Sequence, residues 1–112
     1  MSVSLLVEYN DPQKEDLLVP IAAEEVFEKY WQPATARLGL QFVPLFQSGL
    51  PIKKNDIPLI ISELTRLRRD IASRISSTLP QEMREHIVKR IDTLLVELKL
   101  LQEDARAEGY IS

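Results

Sequence analysis

His86 is the only histidine in the chain, and cysteine is absent. Those two facts narrow the chemistry at once. Thiolate nucleophiles, disulfides and Cys-based zinc or iron–sulfur sites are excluded, and an imidazole base has one position to occupy. His86 follows Glu82 by four residues, a spacing that on a helix sets the carboxylate on the same face as the ring. No second histidine joins it, and it reads as a solvated surface side chain. Paired carboxylates occur at Glu24 with Glu25 and at Glu103 with Asp104, but neighbours on a helix diverge by about 100° and do not converge on one substrate atom. No HExxH run and no acidic calcium loop is present, and three glycines, Gly39, Gly49 and Gly109, are too few for a phosphate cradle of known type. No cofactor or metal is called for. An enzyme that draws two carboxylates from different elements stays open as a class.

Two other groupings could bind. Lys53, Lys54, Arg66, Arg68, Arg69 and Arg74 form one basic cluster. In a helical frame Arg66 and Arg69 face away from the apolar seam, while Arg68 and Arg74 flank it. Such a cluster serves either as a solvated face complementing acidic segments or as a docking patch for an acidic protein or a phosphate-bearing ligand. The segment 46–56, with Phe46, Gln47, Asn55 and Asp56, mixes apolar and basic residues ahead of a helix N-terminus. Loops of that kind contact ligands, and with Tyr30 and Trp31 it marks the place for a cleft; Trp31 alone reads as core.

The bulk composition bounds these options. Fourteen basic and 17 acidic side chains give a net charge of −3, which supplies no global attraction for nucleic acid or an anionic membrane. No aromatic residues interleave with the arginines, so nucleic acid is disfavoured as a partner. Residues 1–50 hold 3 basic and 7 acidic groups, and residues 51–80 hold 6 and 3; any anion-attracting surface therefore belongs to the middle of the chain. The first 25 residues carry no basic leader, and the apolar runs are too short to span a bilayer. A cytoplasmic location is expected. The length is that of one domain, 1–112, able to bury roughly 65% of its unfolded surface.

The elements that must position these residues follow from periodicity. Val3, Leu5, Val7 and Tyr9 alternate with Ser2, Ser4, Leu6 and Glu8, which predicts a strand over 2–9. Asn10-Asp11-Pro12 opens a turn. Leu17–Ile21 is apolar, but Pro20 restricts it to an edge strand or an extended lead-in. Helical spacing begins at Ala22 with Val26, Phe27, Tyr30 and Trp31. Pro33 either stops that helix near Trp31 or kinks it and lets it resume through Leu38, with Gly39 ending it. Leu40–Phe46 predicts a second edge-type strand, and 50–52 a very short one.

Asn55 as N-cap and Pro58 in the first turn start a helix running to about Ser77, with Ile57, Ile60, Ile61, Leu64, Leu67, Ile71 and Ile75 at three- and four-residue steps. Leu79-Pro80 breaks the chain. A last helix from about 81 to 107 carries Ile87, Ile91, Leu94, Leu98, Leu101 and Ala105, with Gly109 as its stop. Two long amphipathic helices with so short a connection pack antiparallel. The expected class is thus α+β, a small sheet of two to four strands with one helix (1–52) followed by a long C-terminal helical hairpin (56–107). Val96 and Leu100 lie off the seam, giving the last helix more apolar surface than one partner helix covers. Either the sheet or the first helix covers that second stripe, or a second copy of the chain does.

In size, acidity, lack of cysteine and absence of catalytic motifs the chain resembles, as a class, the small bacterial proteins that act by binding others, toxin-neutralising immunity proteins among them. That likeness implies a non-enzymatic interaction module whose partner is another protein. A small enzyme or ligand-binding regulator with a cleft at 46–56 is the second expectation, and a homo-oligomeric scaffold joined through Val96 and Leu100 the third.

Overall fold

The computed structural model describes residues 2–74 and 78–112. The fold is α+β: a four-stranded antiparallel sheet with helices packed on one of its faces. Alternation sets the first strand, β1 (Ser2–Tyr9), in which Val3, Leu5 and Val7 are buried. The turn after it forms as its residues require, with Asp11 Oδ1 accepting the Gln13 N–H at 2.9 Å. β2 (Leu17–Ala23) then lies at one edge of the sheet, where the missing amide of Pro20 removes no central ladder bond. The register slips between Val3 and Ser4, pairing them with Ala22 and Pro20 and leaving Ile21 as the extra residue of a bulge. Ala22 and Ala23 therefore belong to the strand, and helix starts at Glu24 rather than Ala22.

Pro33 neither stops nor sharply breaks the first helical run. A short α1 (Glu24–Val26) passes into a π-turn over Phe27–Trp31 and resumes as α2 (Gln32–Leu38). In an α-helix the proline ring would clash with the carbonyl four residues back. The wider turn, in which the Gln32 N–H reaches the Phe27 carbonyl, absorbs the misfit. Gly39, at φ 67°, closes the run; its N–H bonds to Ala36 O at 3.2 Å, and that of Leu40 bonds to Thr35 O at 3.0 Å, the paired bonds of a Schellman stop.

Leu40–Phe46 is not the strand its composition suggests. Its backbone amides find a partner off the sheet: the Glu63 carboxylate accepts from Gln41, Phe42 and Val43 at 3.0–3.2 Å. Pro44 then falls in a 3-10 turn, Val43–Leu45, where it gives up nothing. β3 (Leu50–Ile52) is the short strand expected, at the sheet's second edge.

α3 spans Ile57–Ser73 and buries Ile57, Ile60, Leu64, Leu67 and Ile71. Its N-cap is Asp56 without a side-chain bond; Asn55 sits in a preceding 3-10 turn, Lys54–Asp56, and does not cap. The helix ends at Ser73, short of the expected end near Ser77, because Arg74 turns extended at φ −80° and ψ 118°; Ile75, expected on the seam, lies at 75–77, outside the described residues. α4 spans Gln81–Glu103 and buries Ile87, Ile91, Leu94, Leu98 and Leu101. Arg68 of α3 bonds to Asp92 of α4, while Lys54 just before α3 reaches Leu101 and Arg74 just after it meets Arg84, so chain position rises along one helix as it falls along the other.

The largest departure lies at the end. The chain does not close on a helical hairpin: α4 stops at Glu103, and β4 (Ala107–Ile111) inserts between β1 and β3, giving the order β2-β1-β4-β3. Asp104 turns the backbone by accepting the Arg106 N–H on Oδ1 at 2.9 Å. Gly109 is not a helix stop but a strand residue on which Leu101 rests, since a Cβ there would stand 2.6 Å from Leu101 Cδ2.

Candidate functional site

The helices fill one face of the sheet, to which Val3, Leu5, Val7, Val19, Ala107 and Ile111 contribute. The opposite face carries the alternate residues, and strand register decides which of them meet. Leu18 of β2 pairs with Leu6 of β1, Leu6 with Tyr110 of β4, and Tyr110 with Pro51 of β3. A row of four apolar side chains thus crosses all four strands on the uncovered side. Leu18 is 64% and Tyr110 43% exposed. Next to the row, Pro20 pairs with Ser4 on one side, and on the other Glu8 of β1 stands opposite Glu108 of β4. Like charges directly opposite destabilise a sheet, so the Glu8–Glu108 pair exists at some expense to the fold. The Tyr110 ring continues over the β3 edge, where its Oη lies 2.5 Å from the position a Cβ of Gly49 would take; Gly49 has φ 112°, which glycine alone adopts readily.

The second apolar feature is the outer stripe of α4. Val96 and Leu100 are 56% and 55% exposed. Neither the sheet nor the first helical run covers them, which corrects the expectation that the chain's own core would. Leu100 borders a groove of about 530 Å3 together with Val7, Tyr9, Glu97, Asp104 and Arg106. Across it Lys14 stands 4.9 Å from the centre of the Tyr9 ring and 3.6 Å from the Asp104 carboxylate.

The basic cluster is largely engaged in holding the fold. Lys54 points its ammonium at three carbonyls, Leu101 at 2.5 Å and Asp104 and Ala107 at 2.8 Å, capping the end of α4 where unpaired carbonyls collect. Arg66 does the same for α2, donating to Leu38 O at 3.0 Å. Arg68 pairs with Asp92 at 2.5 Å; the hydrogen bond first and the charge second raise the guanidinium pKa above its ordinary value. Arg74 meets Asp70 at 3.5 Å. Lys53 and Arg69 are exposed and unbonded among the described residues.

The residues singled out for a cleft are scattered. Trp31 and Phe46 are fully buried, packed with Phe27 at ring distances of 5.6 and 6.4 Å in the sense Phe27–Trp31 and Phe27–Phe46. Gln47 donates to Glu28 at 2.9 Å and borders a shallow recess with Ser2, Val3 and Ser112. Tyr30 borders a different recess, beside α3, and Asn55 and Asp56 occupy the approach to α3. His86 is exposed. Among the described residues no group of three or more acidic, histidine or cysteine side chains is disposed to hold a metal ion, and no helix is long and apolar enough to cross a membrane.

The open sheet face escaped the sequence reading because its members come from four strands, one of them unforeseen. One signal was available: Leu6 is apolar among Ser2, Ser4 and Glu8, at a position where alternation calls for a polar residue. Comparison with known proteins finds no family model, no curated protein and no solved structure that matches the chain.

Proposed function

We propose that the chain is a non-enzymatic protein-interaction module that docks another protein on the open face of its sheet. The row Leu18–Leu6–Tyr110–Pro51 carries this reading. An apolar row spanning a whole sheet on its wet side is surface a lone domain gains nothing by exposing. Glu8 and Glu108, side by side and without an ion pair among the described residues, add a charge that a cationic group on the partner would relieve. Acidity overall favours approach of a basic partner, and inhibition of that partner, in the manner of an immunity protein, is the role that suits such a surface. In this reading the whole chain acts as one domain in the cytoplasm, without a cofactor, and α3 with α4 forms a hairpin that stiffens the sheet from behind.

The test compares a tagged wild-type chain with Leu18→Glu in pull-downs from the native host. Leu18→Glu should melt with the wild type, because the side chain is already mostly in water, yet lose the partner that the wild type retains. A partner held equally by both, or none held by the wild type, sinks the proposal.

A second reading has its own observation in the exposure of Val96 and Leu100: self-association through α4. Mass by light scattering at tens of micromolar separates the two, since only the second requires more than a monomer.

A further inference from the structure

A recess of about 160 Å3 opens between α2, the end of α3 and the start of α4. Its floor is apolar, with Ala34, Ile71, Leu79 and Ile87 all buried. Its rim is cationic: Lys29, Arg37 and Arg74 line it, with Tyr30 and Thr78 beside them. Among the described residues one carboxylate pairs with this group. Asp70 Oδ2 accepts from Arg37 Nη2 at 2.6 Å and lies 3.5 Å from Arg74 Nη2, so a single oxygen draws two guanidiniums together. A guanidinium has five N–H donors, and each arginine here gives one nitrogen to Asp70. Among the described residues the buried Arg74 Nε–H has no acceptor. Lys29 pairs with no carboxylate among the described residues; its ammonium lies 5.3 Å from the centre of the Tyr30 ring.

We propose that this recess binds a phosphate group carried on a small body. Three cations and one carboxylate leave a charge of +2 around it, which matches the −1.5 to −2 of a phosphate monoester at neutral pH. Asp70 fixes the guanidiniums in place before a ligand arrives, and planar donors so oriented suit phosphate oxygens better than a lone ammonium does. The space is sufficient, since roughly 15 Å3 of such volume already admits one water. The apolar floor accepts the body that carries the phosphate. Two of the rim residues, Lys29 and Tyr30, sit in the π-turn, and a widened turn of this kind is a frequent mark of a binding site. Complementing the C-terminal end of α3 accounts for Arg84, which donates to Arg74 O at 2.8 Å. It does not account for Lys29 or Arg37, which come from another helical run.

The site is tested on the full chain by titrating inorganic phosphate, then phenyl phosphate, then a short phosphoserine peptide, with ionic strength held constant by sodium chloride. Backbone amide shifts of 29–32, 34–37 and 71–74 are followed by NMR. Saturable shifts confined to these segments are expected, with Lys29→Gln and Arg37→Gln each weakening binding about tenfold. Lys29→Gln removes no ion pair, so it reads binding apart from folding. Tighter binding of phenyl phosphate assigns a small-molecule source, and tighter binding of the peptide a protein source. Absence of saturation up to about 10 mM phosphate, or affinity untouched by Lys29→Gln, overturns the proposal.

Discussion

Lys54 lays its ammonium 2.5 Å from the carbonyl oxygen of Leu101, 47 residues further along the chain. The same nitrogen reaches Asp104 O and Ala107 O, so one side chain binds the last turn of α4 to the entry of β4. Replacement by methionine keeps much of the stem and removes the charge. Three partly buried carbonyls then each lose a charged donor, although Leu101 O and Asp104 O keep the N–H of Asp104 and of Ala107 at 3.3 and 3.2 Å, and Lys54→Met should lower stability by about 2 kcal/mol. Lys53→Met, one residue away on the surface, should stay within about 0.5 kcal/mol. Urea denaturation with an unchanged slope checks both.

Gly109 should tolerate no side chain. A Cβ at 2.6 Å from Leu101 Cδ2 would also stand 3.4 Å from Leu5 Cδ1 and Ile52 Cβ, and Leu101 is buried with nowhere to swing. Gly109→Ala should therefore destabilise by about 1–3 kcal/mol through overpacking. Trimming the obstacle relieves it: the double variant with Leu101→Ala should be less destabilised than the sum of the two single changes. Additivity within about 0.5 kcal/mol in that cycle would show that the clash is absorbed elsewhere.

Glu63 holds the segment after Gly39 by accepting three successive backbone amides. Glu63→Ala strands those donors and should lower stability by about 2–3 kcal/mol, whereas Glu63→Gln, which keeps one acceptor oxygen, should lose about half of that. Amide exchange at Gln41–Val43 should accelerate in the alanine variant ahead of global unfolding.

These three residues also explain what was legible in the sequence. Period alone located β1 and the buried stripes of α3 and α4, because Val3, Leu5 and Val7, or Leu64 and Leu67 with Leu94 and Leu98, repeat at the step their element dictates. Pro20 correctly pointed to an edge. The end of the chain misled: Ala105 continued the rhythm of α4 past Asp104, and Gly109 looked like a helix stop. The alternation of Ala107, Gly109 and Ile111 with Glu108 and Tyr110 was present but weak, two of its inward-facing positions being the smallest residues. Leu40–Phe46 misled for a different reason, since nothing local announces that a carboxylate 20 residues later will take its amides. The open-face row needed the strand order itself. Capping by Lys54 and the Asp70 clamp are likewise relations between distant residues, to which periodicity is blind.

Leu98 and Leu100 lie two residues apart on α4, one fully buried and the other 55% exposed, and the same substitution at each should part company. Leu98→Glu puts a carboxylate into the packed interior without a partner and should prevent folding or lower stability by more than about 4 kcal/mol. Leu100→Glu should leave the melting transition within about 0.5 kcal/mol of wild type. Mass then decides what the outer stripe is for. A wild-type oligomer that Leu100→Glu reduces to monomer assigns Val96 and Leu100 to self-association. A wild-type monomer withdraws that role and leaves the open sheet face as the surface that needs a partner.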